Sequence, residues 1–288
     1  MASSGYVKFS YKFFGDFARL LGKNFSDLRD DLQRANMQYT LEEYLATSMF
    51  TTAITFVIEA ALLSFIFAFF VPIILAMVSA LILSLAISGM LFFLFYTYPT
   101  AIAKNREAAI RKVLPFAVSY MSAIASGKTT PITLFKTLAR FKEYGEVSKE
   151  AEDIVKDVEM FGMSISTAIR RKAKRTPSNE LRELLYGMTT MTASGGDIGL
   201  YLRSKANELM NDYRRRIVKY SQDLSLLVEI YLTLIITGSI FFIVLSSVIT
   251  AISGGLDIIL MQIFVVLALL PIISIGFIIL VKSMSPTG

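Results

Sequence analysis

Residues 60–103 read AALLSFIFAFFVPIILAMVSALILSLAISGMLFFLFYTYPTAIA, 44 positions without one charged side chain. As a single helix they would reach about 66 Å at about 1.5 Å per residue, roughly twice the ~30 Å hydrocarbon core of a bilayer. The stretch therefore reads as parts of two membrane spans, and Pro72, which has no backbone N–H to donate, marks the reversal. The first span is expected at Ala46–Phe70, with Glu59 as its one charge, and the second at Ile73–Tyr98. Residues 230–281 repeat the pattern, broken only by Asp257. Ser253-Gly254-Gly255-Leu256-Asp257 reads as a turn between spans at Ile230–Ile252 and Ile258–Val281, the last kinked by Pro271.

The composition agrees with this reading. Of 288 residues, 54% are apolar and 18% charged; the mean hydropathy is +0.58. Soluble domains average about 45–50% apolar and about 25% charged. There is no Cys and no His. That excludes disulfides, thiol nucleophiles, imidazole acid–base chemistry, haem and the usual zinc sites, so no cofactor is expected. Lys and Arg are distributed unevenly: six in residues 1–45, twenty-two in 99–229, Lys282 in the tail, and none in either hairpin turn. The positive-inside rule then puts both termini and the middle segment in the cytoplasm. No apolar run precedes a cleavage site in the first 30 residues, so no signal peptide is expected.

The resulting organisation is a cytoplasmic segment at 1–45, a membrane hairpin at 46–98, a cytoplasmic domain at 99–229, a second hairpin at 230–281 and a tail at 282–288. Phe13, Phe17, Leu20, Leu21, Phe25, Leu28 and Leu32 recur at helical spacing. They predict one or two amphipathic helices, packed on the middle domain or lying at the membrane surface. Thr40-Leu41-Glu42-Glu43 is a capping box opening the first span. In the middle domain, Thr130-Pro131 and Thr176-Pro177 read as N-caps followed by a first-turn Pro. Gly162 before Ser164, and Gly195-Gly196 before Asp197, read as one helix ending and the next beginning. Helices are expected near 101–126, with a break before Pro115, and near 131–143, 147–160, 164–174, 178–193 and 197–228, the last running into the third span. The fold class is all-α, a six-helix cytoplasmic bundle between two membrane hairpins. Ala125-Ser126-Gly127 and Ala193-Ser194-Gly195 echo each other at a spacing of 68, as do Leu134 and Leu202. Two three-helix halves, or chance likeness between amphipathic helices, both account for the echo.

Several motifs carry less chemistry than their letters suggest. Ser126-Gly127-Lys128-Thr129 resembles the end of a phosphate loop, but Ser122 stands where its first Gly belongs and a helix precedes it. Ser194-Gly195-Gly196-Asp197 approaches an intramembrane aspartyl peptidase motif, yet Asp197 falls in the charged cytoplasmic segment. Glu59 is a different case, because a charge at that depth costs at least ~2.5 kcal/mol. It is either bonded to a neighbouring Ser or Thr, or it serves a cationic partner or an ion path. The basic clusters Arg170-Arg171-Lys172-Ala173-Lys174-Arg175 and Arg214-Arg215-Arg216 suit a solvated face, lipid headgroups or an acidic protein. No aromatic interleaving accompanies them, so nucleic acid is not expected. On a continuous helix, the second cluster would lie roughly 21–24 Å below Ile230, well beyond the ~8 Å screening length that would tie it to anionic lipid.

Leu114-Pro115 with Ala123–Gly127, then Asp157-Val158, Gly162, Ser164-Ile165 and Ala168-Ile169, then Leu184-Leu185 through Ser194-Gly195-Gly196-Asp197-Ile198, Leu202 and Ala206, resemble the F-domain platform proteins of type II secretion, type IV pilus and Tad systems. Tyr213-Arg214 on the long helix is most similar to the archaeal branch, which includes the archaellum platform protein. The resemblance covers residues 100–250 or so. It implies a non-enzymatic inner-membrane scaffold that sits on a hexameric secretion ATPase and acts on pilin-like subunits. It makes the two basic clusters candidate ATPase contacts and Glu59 a candidate contact for a pilin-like subunit. Platform proteins of pili and the archaellum usually carry two such domains, and this sequence has one. It therefore resembles a Tad-type half, a single-domain paralogue or part of a longer chain. A homodimer, or a heterodimer with a sister protein, would restore two domains. The rival reading is a small transporter or channel with a site near Glu59.

Overall fold

The computed structural model describes residues 5–22, 25–127, 129–253 and 256–284; Lys128, Gly254 and Gly255 lie outside them. All regular structure among the described residues is helical. The chain divides into two compact units, residues 1–203 and 204–288.

In the first unit, α1 (Gly5–Gly22) and α2 (Ser26–Arg34) precede α3 (Leu41–Phe67). The capping box forms: Thr40 Oγ1 accepts from Glu43 N–H at 3.2 Å, and Glu43 Oε2 accepts from Thr40 N–H at 2.9 Å. α1 packs along α3, while α2 packs on α4 (Ile73–Ala125) and α7 (Ile165–Arg175). α3 and α4 form the first hairpin around Pro72, and a row of small buried residues on α4, Ala76, Ala80, Ser84 and Ser88, allows close approach.

In α4 the helix breaks neither after the expected span nor before Pro115; it is continuous for 53 residues through Pro99 and Pro115. A proline frees the carbonyl four residues back. For Pro99 that carbonyl belongs to Phe95, and the Tyr44 hydroxyl donates to it at 2.8 Å. The orphan group is thus satisfied by the neighbouring helix rather than by a kink. Past the span, α4 places Ile110, Leu114, Val118 and Met121 in the core of a helical domain.

That domain adds α5 (Pro131–Arg140), α6 (Glu146–Glu159), α7 and α8 (Asn179–Ser194). Leu134, Leu138, Ile154, Ile169, Leu184 and Leu185 fill the centre, around a residual cavity of only about 10 Å³. Pro131 does open α5. Thr176 does not cap α8: it ends α7, and Ser178 takes the cap, accepting from Leu181 N–H at 3.2 Å. Leu134 and Leu202 of the echo are both fully buried, but α4 ends at Ala125 and α8 one position later in the register, at Ser194, and only Gly195 of the two glycines has a positive φ.

α9 (Ile198–Ile230) passes through a π-helical stretch, Tyr231–Thr237, into α10 (Gly238–Ser253). α11 (Leu256–Phe264) leads through a second π-helical stretch, Val265–Leu269, to α12 (Leu270–Met284). Pro271, where a kink is expected, stands in the first turn of α12, just after this π-helical stretch. Within the second unit, Tyr231 stacks on Phe277 at 4.4 Å and shares a 2.9 Å hydroxyl bond with Ser274. Among the described residues, four helical stretches are long and apolar enough to cross a membrane: Leu41–Phe67, Ile73–Ala125, Ile198–Ile252 and Leu260–Ser283.

Candidate functional site

The motif residues build corners between helices. Gly162 has φ +65°, a left-handed conformation that favours glycine, and turns the chain between α6 and α7. Met163 N–H donates to the Asp157 carbonyl at 3.1 Å, and Ser164 caps α7 by accepting from Thr167 N–H at 3.3 Å. Asp157 Oδ1 meets Arg171 Nη1 at 3.2 Å across the corner. Gly195, at φ +70°, ends α8, and Gly196 N–H donates to the Met191 carbonyl at 2.9 Å. Asp197 Oδ1 accepts from Leu200 N–H at 3.0 Å and so caps α9. Asp197 thus serves as a helix cap.

The cluster on α7 separates into two kinds of residue. Lys172 is buried, contrary to the expectation of a partner-facing side chain. Its Nζ lies 2.6 Å from Asp153 Oδ2 and, as an ion pair without hydrogen-bond alignment, 3.3 Å from Glu150 Oε2. Arg106 closes the other side, bonding Glu146 Oε2 at 2.7 Å, Glu150 Oε1 at 2.6 Å and the Arg34 carbonyl. Burial pushes the Glu150 carboxyl up, against the opposing pull of Lys172 and Arg106. The Glu146 carboxyl is held below the usual carboxylate range: its burial is outweighed by bonds from Lys149 and Arg106. This network joins α2, α4, α6 and α7, and the sequence reading missed it. The signal was present in Glu146, Glu150, Asp153 and Asp157, spaced to share one face of α6. Those acids claim Lys172 and Arg171 internally.

Arg170, Lys174 and Arg175 remain exposed, without an ion-pair partner among the described residues. Arg175 borders two grooves that meet at Asn36, of about 380 and 210 Å³. In the second unit, Arg214, Arg215 and Arg216 are all exposed, and Arg215 pairs with Asp212 one turn back. Arg214, Arg215 and Lys219 share one face of α9, lining an open groove with Asn211, Val218 and Gln222.

Glu59 lies within α3, continuing the row Leu41, Leu45, Ser48 at helical spacing. It is half-buried, and its Oε2 is enclosed without a hydrogen-bond partner among the described residues. The expected bond to a neighbouring Ser or Thr is not made: Ser48, Thr51, Thr52 and Thr55 donate to backbone carbonyls of their own helix instead.

Residues 117–246 match the family described as type II secretion system (T2SS), protein F. An uncharacterized protein of Methanocaldococcus jannaschii is 29% identical over 134 residues, 46% of this chain and 22% of that protein. The flagella accessory protein J of the same organism is 25% identical over 150 residues, 52% of this chain and 26% of that protein. The matched part thus spans about a quarter of the length of these relatives. No solved structure matches.

Proposed function

We propose, from the likeness of residues 117–246 to the family described as type II secretion system (T2SS), protein F, that this chain is the platform of an archaeal filament or secretion machine. In this reading it is a multi-pass protein of the cytoplasmic membrane with both termini inside, and a scaffold rather than an enzyme. It couples a hexameric secretion ATPase to the insertion of pilin-like subunits. A second copy or a sister platform protein completes the assembly.

The observation that carries the reading is α4. Residues 73–125 form one helix that starts in the membrane hairpin and ends among the core side chains of the family domain. A helix packed at both ends transmits displacement of the domain to the hairpin without a soft joint. ATPase contacts are assigned to the exposed members of each cluster, Arg170, Lys174 and Arg175 in the first unit and Arg214, Arg215 and Arg216 in the second. Lys172 is left out, because it holds the fold together. Glu59 is assigned to a cationic group on an inserting subunit or a second platform chain, since it has no partner within the described residues. Reversing Arg170, Lys174 and Arg175 to Glu, alone and with Arg214, Arg215 and Arg216, should abolish co-purification of the ATPase while the protein stays folded in the membrane. Retained, salt-insensitive association would refute that surface. Filament assembly unchanged by Glu59→Gln would reduce Glu59 to a structural residue.

A further inference from the structure

Helix α1 has three distinct faces. At about 100° per residue, Tyr6, Phe9, Phe13, Phe17 and Leu20 fall within an arc of about 80°. All five are exposed, Phe13 to 65% and Leu20 to 72%. The buried face, Val7, Ser10, Gly15 and Ala18, turns toward α3. Lys8, Lys12 and Arg19 occupy the remaining side and are exposed. A helix satisfied by protein alone needs one apolar face; α1 has a second that stays exposed among the described residues, apart from its edge against Phe50 of α3.

We infer that this aromatic face is a membrane-interface anchor, seated in the headgroup–acyl boundary of the leaflet next to the cytoplasmic domain. The first argument is depth. The Tyr6 hydroxyl is 2.8 Å from Thr51 Oγ1, and the rings of Tyr6, Phe9, Phe13 and Phe14 surround Phe50 at 5.5–6.2 Å. Thr51 lies eight residues beyond Glu43, the last charge before the uncharged part of α3. Allowing a turn for the headgroup layer, that is about 5–10 Å into the hydrocarbon, the depth at which interfacial helices bury their apolar side. The other end of α1 is shallower, with Gly22 beside Leu41 at the start of α3.

The second argument is continuity. Phe50, Ile54 and Val57 lie within about 60° of one another on α3, and Ile54 and Val57 are exposed on this lipid-crossing helix. The aromatic face of α1 extends that surface sideways. The third is charge. The basic face would run along the headgroups, where Lys8 and Lys12 can reach anionic phosphates on long apolar stems.

The chain contains no Trp, so one introduced indole is a depth probe. Phe13→Trp and Phe17→Trp would each be made in the full chain, with Phe161→Trp as the control; Phe161 is 67% exposed after α6. Each is placed in nanodiscs of phosphatidylcholine and phosphatidylglycerol holding one chain. The lipids are brominated either near the glycerol end of the acyl chains or near the bilayer midplane. The expected result is a blue-shifted emission for both α1 variants that loses at least about half its intensity to shallow bromines and less to deep ones. Phe161→Trp should be unaffected by either. Two α1 variants quenched no more than Phe161→Trp, or quenched most by deep bromines, would overturn the inference. So would shallow quenching that vanishes in discs holding two chains, which would give the face to a second copy.

Discussion

Replacing Arg106 by Met should loosen the cytoplasmic domain far more than replacing Glu150 by Gln, although the two side chains bond each other at 2.6 Å. Arg106 is 12% exposed and Glu150 3%. Without Arg106, Glu150 keeps only the misaligned Lys172, Glu146 keeps only Lys149, and the Arg34 carbonyl loses a donor. Removing one partner of a buried pair costs about 3–5 kcal/mol. The remaining lysines argue for the lower end, about 3 kcal/mol, or some two decades in an opening equilibrium at 1.36 kcal/mol per decade. Glu150→Gln instead leaves Arg106 on Glu146 and Lys172 on Asp153, so each cation stays paired. That change should therefore cost less than the loss of Arg106, because neither cation is left without a carboxylate. The direction with pH follows. Glu150 is raised above its ordinary value of 4.5 by burial, so its contribution is present at low pH and lost as pH rises through its native value. Wild-type stability relative to Glu150→Gln should therefore fall on going from acid to neutral pH. Hydrogen exchange of α6 amides in the nanodisc-embedded chain measures both effects. Equal protection losses in the two variants, or a wild-type advantage that grows with pH, would refute the reasoning.

Gly187→Ala should lower α8 protection by about 1–3 kcal/mol, because an added Cβ would overlap the Tyr201 ring end and displace the hydroxyl that donates to the Leu184 carbonyl at 3.3 Å. Tyr201→Ala in the same chain should recover part of that loss; no recovery would mean the contact is not the cause. For topology, single cysteines in this cysteine-free chain at Phe70 and Asn179, both exposed, should divide. An impermeant reagent applied to intact cells should reach Phe70→Cys and spare Asn179→Cys, and the opposite pattern would invert the proposed orientation.

The membrane helices were legible in the sequence because lipid imposes a coarse rule, that charge is absent over the length of a span, and residues 60–103 obey it without exception. Helix corners were legible where glycine was needed for φ above zero, as at Gly162 and Gly195. The continuity of α4 was hidden because proline is a local signal and its remedy is remote: Tyr44, 51 positions from Phe95, supplies the missing donor. The burial of Lys172 was hidden for the same reason. A basic run on a short helix looks uniformly solvated until the acidic face of α6 is laid beside it. Glu59 could be flagged from sequence by its depth, but only the structure shows that nearby hydroxyls are already committed to their own backbone.

The positions that carry the family likeness and those suited to bind a partner are different sets of residues. Asp157, Gly162, Ser164, Gly195, Gly196 and Asp197 are used up in caps, turns and one ion pair across a corner. Their chemistry is spent on holding helices in register, so changing them should alter the fold before it alters any one contact. Arg170, Lys174 and Arg175, by contrast, carry no ion pair among the described residues, and Lys174 and Arg175 stand in the last turn of α7, where the helix dipole already favours cations. That favourable term is about 0.3–1 kcal/mol per charge, enough to account for one or two basic residues on stability grounds but not for placing unpaired ones beside the grooves at Asn36 and Arg175. Under the proposed function, these exposed cations sit on a helix joined through α6 and the Arg106 network to α4, which suits them to an acidic partner.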